Sequence, residues 1–205
     1  MSLTKLNCEE SRSSIIFATN NAHKLHEVRQ ILGSRFNVLS LEQAGIDTEI
    51  PEDHDTLEDN ALQKAQFIFD RTGIASFADD TGLEVDALGG LPGVYSARYA
   101  GESKNPADNV KKLLSEMHGK ENRKARFRCV IAWVSENEKL TFEGIVNGTI
   151  TMQTSGSGGF GYDPVFVPEG YNKTFAELPA ETKNSISHRG RAVELFSEYL
   201  SKLRT

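Results

Sequence analysis

Hydrophobic positions recur with alternating strand and helix periods along the first half of the chain. Ser14–Thr19 is an apolar run of strand length, and a helical pattern follows it with Leu25, Val28 and Leu32 on one face. Phe36–Leu41 alternates like a short second strand. These patterns predict a strand, a helix and another strand in sequence.

The next elements follow an acidic loop. A capping signal at Thr56 predicts the start of a second helix, and Gly73 predicts its end. Ile74–Ala78 then reads as a strand that leads directly into Asp79 and Asp80. We therefore expect both carboxylates at the end of a buried strand.

The second half of the chain is dominated by a predicted hairpin. Pro106 opens a helix, and the long strand patterns Ala125–Ser135 and Lys139–Thr151 are joined by a polar turn. A glycine-rich loop, Gly156–Gly161, precedes a last helix whose apolar face is expected to extend to Leu203. The fold class is therefore α/β with a mixed sheet.

Composition limits the classes of function. The chain has 205 residues, enough for a hydrophobic core, with a net charge of -6 and a pI of about 5.4. A chain this acidic is a poor general binder of DNA, RNA or an anionic membrane, but a local basic pocket could hold a small polyanion. No apolar run is long enough to cross a bilayer.

The two cysteines provide neither a disulfide framework nor a zinc site. Cys129 lies in an apolar strand pattern and is expected to be a buried free thiol, whereas Cys8 lies in a polar leader. A reducing, cytoplasmic setting follows. We predict a flexible leader over residues 1–13 and one domain over residues 14–205.

The turn Thr19-Asn20-Asn21-Ala22-His23-Lys24 joins the first strand to the first helix. Free backbone N–H groups at a helix start, together with a lysine, can bind phosphate. The alternative for this segment alone is an ordinary capped helix with an exposed lysine. The turn lacks the GxxxxGK[ST] pattern of a Walker A loop.

Carboxylates are concentrated in the acidic loop and after the third strand pattern. Asp79 and Asp80 occupy a position where α/β folds place their sites, and such carboxylates can hold Mg²⁺ beside a nucleoside triphosphate. A helix cap with a surface carboxylate is the alternative reading. Most of the loop acids, in contrast, are expected to be solvated.

Two later segments could bind a nucleotide base and its phosphates. Glycines around Phe160 would let the backbone approach a ligand, and an aromatic ring there could stack on a base. A tight turn with core aromatics is the alternative. Lys183 and then His188 and Arg189 supply donors before and at the last helix start. A solvated helix end is the alternative, but positive charge there opposes the helix dipole and so favours a ligand.

Four segments in the same order resemble the inosine triphosphate pyrophosphatase family. They are FATNNAHKLHEV, FADDTGLEVDALGGLPGVYSARYAG, GSGGFGYDPVF and SISHRGRA, and the resemblance runs from about Ile15 to the last helix. It implies two α/β lobes around a long mixed sheet flanked by helices, with the active cleft between them. It also implies a homodimer, dependence on Mg²⁺ and hydrolysis of ITP, dITP and XTP to the monophosphate and pyrophosphate.

The resemblance also implies roles for residues of this chain. Asp80 is the implied catalytic carboxylate, and Glu52 and Asp80 are the implied metal ligands. The implied substrate-binding residues are Thr19, Asn20, Asn21, Ala22, His23, Lys24, Lys64, Thr81, Phe160, Gly161, Tyr162, Asp163, Lys183, His188 and Arg189. Asn20 departs from the Thr-Gly-Asn of many members, and asparagine tolerates a left-handed backbone that could preserve the turn.

Two alternative functions remain open at this point. A Maf-type pyrophosphatase has a similar fold and acts on pyrimidine or modified nucleotides. A non-catalytic nucleotide-binding module is the other alternative, although it would have no need of a carboxylate pair for a metal. Comparing pyrophosphate release across nucleotides discriminates among the three.

Overall fold

The computed structural model describes residues 14–203, so the predicted leader and Cys8 lie outside the described residues. The helices are α1 (Ala22–Leu32), α2 (Leu57–Thr72), α3 (Pro106–Glu116), α4 (Ala180–Ile186) and α5 (His188–Lys202). The strands are β1 (Ser14–Phe17), β2 (Asn37–Leu39), β3 (Ser76–Val85), β4 (Pro92–Gly93), β5 (Lys124–Val134), β6 (Lys139–Ile150) and β7 (Phe166–Pro168).

The strands form one mixed sheet, which confirms the predicted α/β class. Its order is β2-β1-β3-β5-β6-β7, with β4 paired to β3 off this path. β1 runs parallel to β2 and β3, whereas β3, β5, β6 and β7 pair antiparallel along the sheet. The predicted hairpin is confirmed, because β5 and β6 pair along their whole lengths.

Local signals begin and end the first two helices as predicted. The Asn21 side chain caps α1 and the Thr56 side chain caps α2. Gly33 and Gly73 follow the two helices with positive φ angles, which glycine adopts without a steric penalty. The helices that flank the site are therefore set by short-range chemistry.

The predicted end of the third strand is wrong. β3 continues through Asp79 and Asp80 to Val85, because β5 pairs with it over this whole length. Gly82 permits the extension, since a Cβ there would lie 2.7 Å from the carbonyl oxygen of Gly93 on β4. The carboxylates still emerge beyond the last residue of the parallel neighbour β1, which pairs with Phe77.

Three apolar clusters divide the core. On one sheet face, α1 and α5 cover a cluster that includes Phe77 and Phe196, while α2 covers the opposite face with Ala65 and Ile68. A third cluster surrounds Phe127 at the far ends of β3, β5 and β6, against α3. The cleft described below takes residues from both ends of the sheet, which fits the expected two-lobed arrangement.

The apolar face of the last helix is shorter at its C-terminal end than predicted. Val193, Phe196 and Leu200 are buried as expected, but Leu203 follows the helix and is 55% exposed. Cys129 is buried and free, as expected. Within residues 14–203, no helix has the length and apolar character needed to span a membrane.

Candidate active site

A cleft of about 630 Å³ gathers most of the residues predicted to bind substrate. All of those residues except Ala22 line it, and the implied metal ligands Glu52 and Asp80 line it too. A more open groove of about 960 Å³ crosses α1, α4 and α5 and contains none of the predicted site residues. The predicted residues therefore converge from five separate regions of the chain on one concave site.

The turn between β1 and α1 differs from the phosphate-binding prediction in its hydrogen bonds. The Asn21 side chain accepts from the backbone N–H groups of His23 and Lys24, at 3.0 and 3.2 Å. Those two amides are therefore already used. Asn20 and Asn21 do not adopt positive φ angles, and Lys104 is the only non-glycine residue in 14–203 that does. The turn therefore presents the Lys24 side chain to the cleft, while the backbone N–H groups of His23 and Lys24 are used by the Asn21 cap.

Asp79 is a buried anchor for two cations. Its carboxylate forms an ion pair with Lys24 Nζ and accepts a hydrogen bond from Arg189 Nε, both at 3.0 Å, and only 1% of its side chain is exposed. The Thr81 hydroxyl and the Cys129 thiol approach the same carboxylate, at 3.2 and 3.9 Å. Burial alone would raise the pKa of Asp79, but the charges of Lys24 and Arg189 outweigh it and hold the pKa well below its ordinary value.

Asp80 has a different environment from its neighbour. It faces the cleft, accepts from Lys64 Nζ at 2.9 Å and lies 3.4 Å from the Asn60 amide nitrogen. Burial raises the pKa of Asp80 above its ordinary value in spite of the nearby lysines. Because successive residues of a strand point to opposite faces, one carboxylate is buried in an ion-pair network and the other faces the cleft.

Lys64 joins Asp80 to the other implied metal ligand. Its ammonium lies 2.6 Å from Glu52 Oε1 and 2.9 Å from Asp80 Oδ1, and 5% of its side chain is exposed. Burial would lower the pKa of Lys64, but Asp80 and Glu52 raise it above its usual value. The pKa of Glu52 is shifted by the same ion pair. Burial would raise it, but the charge of Lys64 lowers it below its ordinary value.

The Glu52–Asp80 pair fits a divalent cation that is bound together with a substrate. The two carboxylates approach one positively charged nitrogen from β3 and from the loop before α2. No group of three or more acidic, histidine or cysteine side chains that could hold a metal is present within residues 14–203. Two carboxylates with substrate oxygens and waters are the ligand set that Mg²⁺ prefers.

Lys183 and Arg189 share a partner that the sequence interpretation missed. Glu27, one turn after Lys24 on α1, accepts from Lys183 Nζ at 2.7 Å and from Arg189 Nη1. Burial would raise the pKa of Glu27, but Arg189 and Lys183 lower it. The three-residue spacing from Lys24 to Glu27 places both on one helical face, which was the available signal.

Asp163 anchors the glycine-rich wall of the cleft. It accepts from Lys183 Nζ and from the backbone N–H of Phe160, both at 2.7 Å. Gly159 has a φ angle of 68°, and a Cβ there would lie 2.1 Å from the Asp163 carboxylate. Tyr162 is buried and donates to the carbonyl oxygen of Ser96, so it ties this wall to the opposite one.

Phe160 provides an aromatic surface at the edge of the cleft. Its ring stacks on the imidazole of His23 with 5.4 Å between centroids. Lys183 Nζ lies 4.9 Å from the same ring centroid and Arg189 Cζ lies 5.5 Å from it. A flat ring with cations beside it can stack on a nucleotide base.

His188 and Arg189 at the start of α5 are more deeply buried than expected for a solvated helix end. His188 stacks on Phe127 at 4.6 Å, and its Nδ1 has no hydrogen-bond partner within the part of the chain that the structure describes. Burial, aided by Arg189, lowers the pKa of His188 well below its ordinary value. Arg189 is 2% exposed and also reaches the Thr81 hydroxyl at 3.3 Å.

This combination defines an α/β protein whose cleft is suited to a nucleotide with its phosphates. Lysines and paired carboxylates occupy its interior, and an aromatic ring stands at its edge. The chain belongs to the Ham1 family, because the family's model matches residues 15–199. This match confirms the resemblance found in the sequence motifs.

Named relatives cover nearly the whole chain. It is 53% identical over 187 residues to a dITP/XTP pyrophosphatase of Porphyromonas gingivalis, covering 91% of this chain and 96% of the relative. A dITP/XTP pyrophosphatase of Flavobacterium johnsoniae is 49% identical over 187 residues, covering 91% and 97%. The solved structure of the Staphylococcus aureus Ham1 protein matches with a TM-score of 0.85 and 38% identity, covering 93% of this chain and 99% of that one.

Proposed function

We propose that this chain hydrolyses the non-canonical purine nucleoside triphosphates ITP, dITP and XTP to the monophosphate and pyrophosphate. The observation that carries the proposal is one cleft in which Lys24, Lys64 and Lys183 lie among carboxylates, with Phe160 at its edge. Two relatives of about half identity are named dITP/XTP pyrophosphatases. The volume of about 630 Å³ is adequate for a nucleotide.

The three lysines neutralise the triphosphate and the departing pyrophosphate. Each lies in the cleft within 3.0 Å of a carboxylate, so each is held in position before substrate arrives. Preorganised cations stabilise the charge that develops as the α–β anhydride breaks. Asp80 accepts a hydrogen bond from the attacking water and orients it toward that anhydride.

We propose that Glu52 and Asp80 hold Mg²⁺ when substrate is bound. When bound, Mg²⁺ neutralises charge on the phosphate oxygens. Lys64 already bridges the two carboxylates, so it holds them close together. Its ammonium is then available to a phosphate oxygen beside them.

Base selection is assigned to Phe160 and to the donors at the start of α5. The Phe160 ring offers a stacking surface, and Arg189 lies beside it. Hypoxanthine and xanthine present an oxygen acceptor at C6, where adenine presents an amino donor. A site built around such a hydrogen bond can reject the wrong partner by roughly 10⁴-fold.

We also propose a homodimer in the cytoplasm, with residues 14–205 as one catalytic domain. The family resemblance supports the homodimer. The net charge of -6 supports a small nucleotide, rather than a nucleic acid polymer or a membrane, as the partner. Light scattering coupled to size-exclusion chromatography tests the assembly.

The deciding experiment measures pyrophosphate release from ITP, XTP, GTP and ATP side by side, with and without Mg²⁺. We expect rapid release from ITP and XTP only with Mg²⁺, and slow release from ATP. A preference for pyrimidine or modified nucleotides would instead favour a Maf-type activity. Binding of ITP without any pyrophosphate release would favour a non-catalytic module.

A further inference from the structure

The inner cations of the cleft are already balanced by carboxylates. The pairs are Lys24 with Asp79, Lys64 with Glu52 and Asp80, Lys183 with Glu27 and Asp163, and Arg189 with Asp79 and Glu27. Four cations thus face five carboxylates. The inner network has no surplus positive charge with which to attract a strongly anionic triphosphate.

Two further cations line the same cleft without such partners. Arg98 ends the short 3₁₀ turn Ser96–Arg98, and Lys104 lies in the loop before α3. Within residues 14–203, neither has a carboxylate within ion-pair distance. Arg98 Cζ lies 5.2 Å from the Tyr95 ring centroid, and the Lys104 side chain is exposed. We call Arg98 and Lys104 the lip cations.

The backbone around Lys104 is defined by its neighbours. Its φ angle is 51°, and its N–H donates to the carbonyl oxygen of Gly101 at 3.2 Å. The next residue, Asn105, caps α3 with its side chain. Glycine or asparagine adopts this left-handed conformation more readily than lysine, so the backbone geometry does not account for the lysine.

The lip cations share the cleft lining with Glu52, Lys64 and Asp80. Arg98 lies over the Tyr95 ring, and the Tyr95 hydroxyl donates to Asp55 at 3.3 Å, in the loop that carries Glu52. Their positive charges therefore belong to the cavity that contains the Glu52–Asp80 pair.

We propose that Arg98 and Lys104 bind the terminal phosphates of the incoming nucleotide and give the cleft its preference for a triphosphate over a monophosphate. This inference rests on the proposed triphosphate substrate. The lip cations need not break an ion pair before they bind, unlike the inner lysines. The exposed charge of Lys104 and the half-buried charge of Arg98 also attract an anionic nucleotide from a distance, and added salt screens this attraction.

The test compares variants of Lys104 with a matched surface lysine. Lys104→Ala should raise the KM for ITP about fivefold, the scale of an exposed charge contact, with kcat within about twofold of wild type. Lys104→Glu should raise the KM for ITP further, because it reverses the charge. Lys104→Arg should have a KM close to that of wild type, because it keeps the charge. Lys111→Ala removes an exposed lysine of α3 that does not line the cleft, and it should leave KM unchanged.

Two further measurements isolate the phosphate contact. Titration calorimetry with inorganic tripolyphosphate should give about fivefold weaker binding for Lys104→Ala, while inhibition by IMP stays unchanged. Arg98→Ala should weaken tripolyphosphate binding as well, and the double variant should be weaker than either single one. The difference in tripolyphosphate affinity between wild type and Lys104→Ala should become smaller at high salt, because salt screens the lysine charge.

The outcomes separate this inference from the proposed function. Equal KM and equal tripolyphosphate affinity in wild type and Lys104→Ala would overturn the lip proposal even if ITP hydrolysis is confirmed. A fall in kcat with unchanged KM would overturn it too, because it would assign Lys104 to loop structure. If wild type binds tripolyphosphate through Lys104 but releases no pyrophosphate from ITP, the proposed hydrolysis fails and the lip site stands.

Discussion

Replacing the adjacent carboxylates Asp79 and Asp80 one at a time should separate stability from catalysis. Asp79 is 1% exposed and is the partner of both Lys24 and Arg189. Asp79→Asn removes the charge that balances both cations. Removing one partner of a buried ion pair costs about 3–5 kcal/mol, so we expect a loss of that size in the free energy of unfolding.

Asp80→Asn should affect catalysis much more than stability. The pKa of Asp80 is raised by burial, so at neutral pH its charge is less favourable in the folded state than in the unfolded one. Neutralising it should therefore lower the free energy of unfolding less than Asp79→Asn does, because Glu52 remains paired with Lys64. Pyrophosphate release from ITP should nevertheless fall by about 10²–10⁴-fold, because the group that orients the water is altered.

Urea denaturation followed by circular dichroism measures the free energy of unfolding, and the pyrophosphate assay measures activity. Asp47→Asn is the control, because Asp47 is exposed and does not line the cleft. Equal destabilisation by Asp79→Asn and Asp80→Asn would refute the division of roles. So would an active Asp80→Asn enzyme at saturating Mg²⁺.

Three further predictions concern the walls of the cleft. Glu27→Gln should lower the free energy of unfolding by about 1–3 kcal/mol in urea denaturation, because Lys183 and Arg189 both lose a charged partner; an unchanged value would mean that Asp79 and Asp163 suffice. Because burial lowers the pKa of His188, only the unfolded state takes up its proton as the pH falls from 7 to 5. The free energy of unfolding should then fall by up to about 1.4 kcal/mol per pH unit in wild type, and less steeply in His188→Gln. The same pH dependence of the free energy of unfolding in both proteins, measured by urea denaturation, would contradict this. Phe160→Ala should weaken calorimetric ITP binding by about 1–3 kcal/mol and change tripolyphosphate binding much less, since the ring is assigned to the base; equal losses for both would place it at the phosphates.

The helices next to the site were predictable because their signals are local. Asn21 and Thr56 cap the first two helices, and Gly33 and Gly73 end them, all within a few residues of the hydrogen bonds concerned. The convergence of the four motif segments on one cleft followed from the family resemblance. Neither result required knowledge of distant contacts.

The extent of β3 could not be read from its own residues. The sequence pattern changes after Ala78, where the two carboxylates and a glycine follow. Pairing with β5, whose apolar run is longer, carries the strand to Val85. The partner strand therefore determines where this strand ends.

The ion-pair network, like the length of β3, depends on contacts between residues that are far apart in the sequence. The sequence alone identified the α/β class and the motif residues that line the cleft, because composition and short-range patterns determine these. It could not show that Glu27 holds Lys183 and Arg189, which are 156 and 162 residues away in the chain. Only the packing of α1 against α4 and α5 brings those charges together, and burial then decides which carboxylate is an anchor and which faces the cleft.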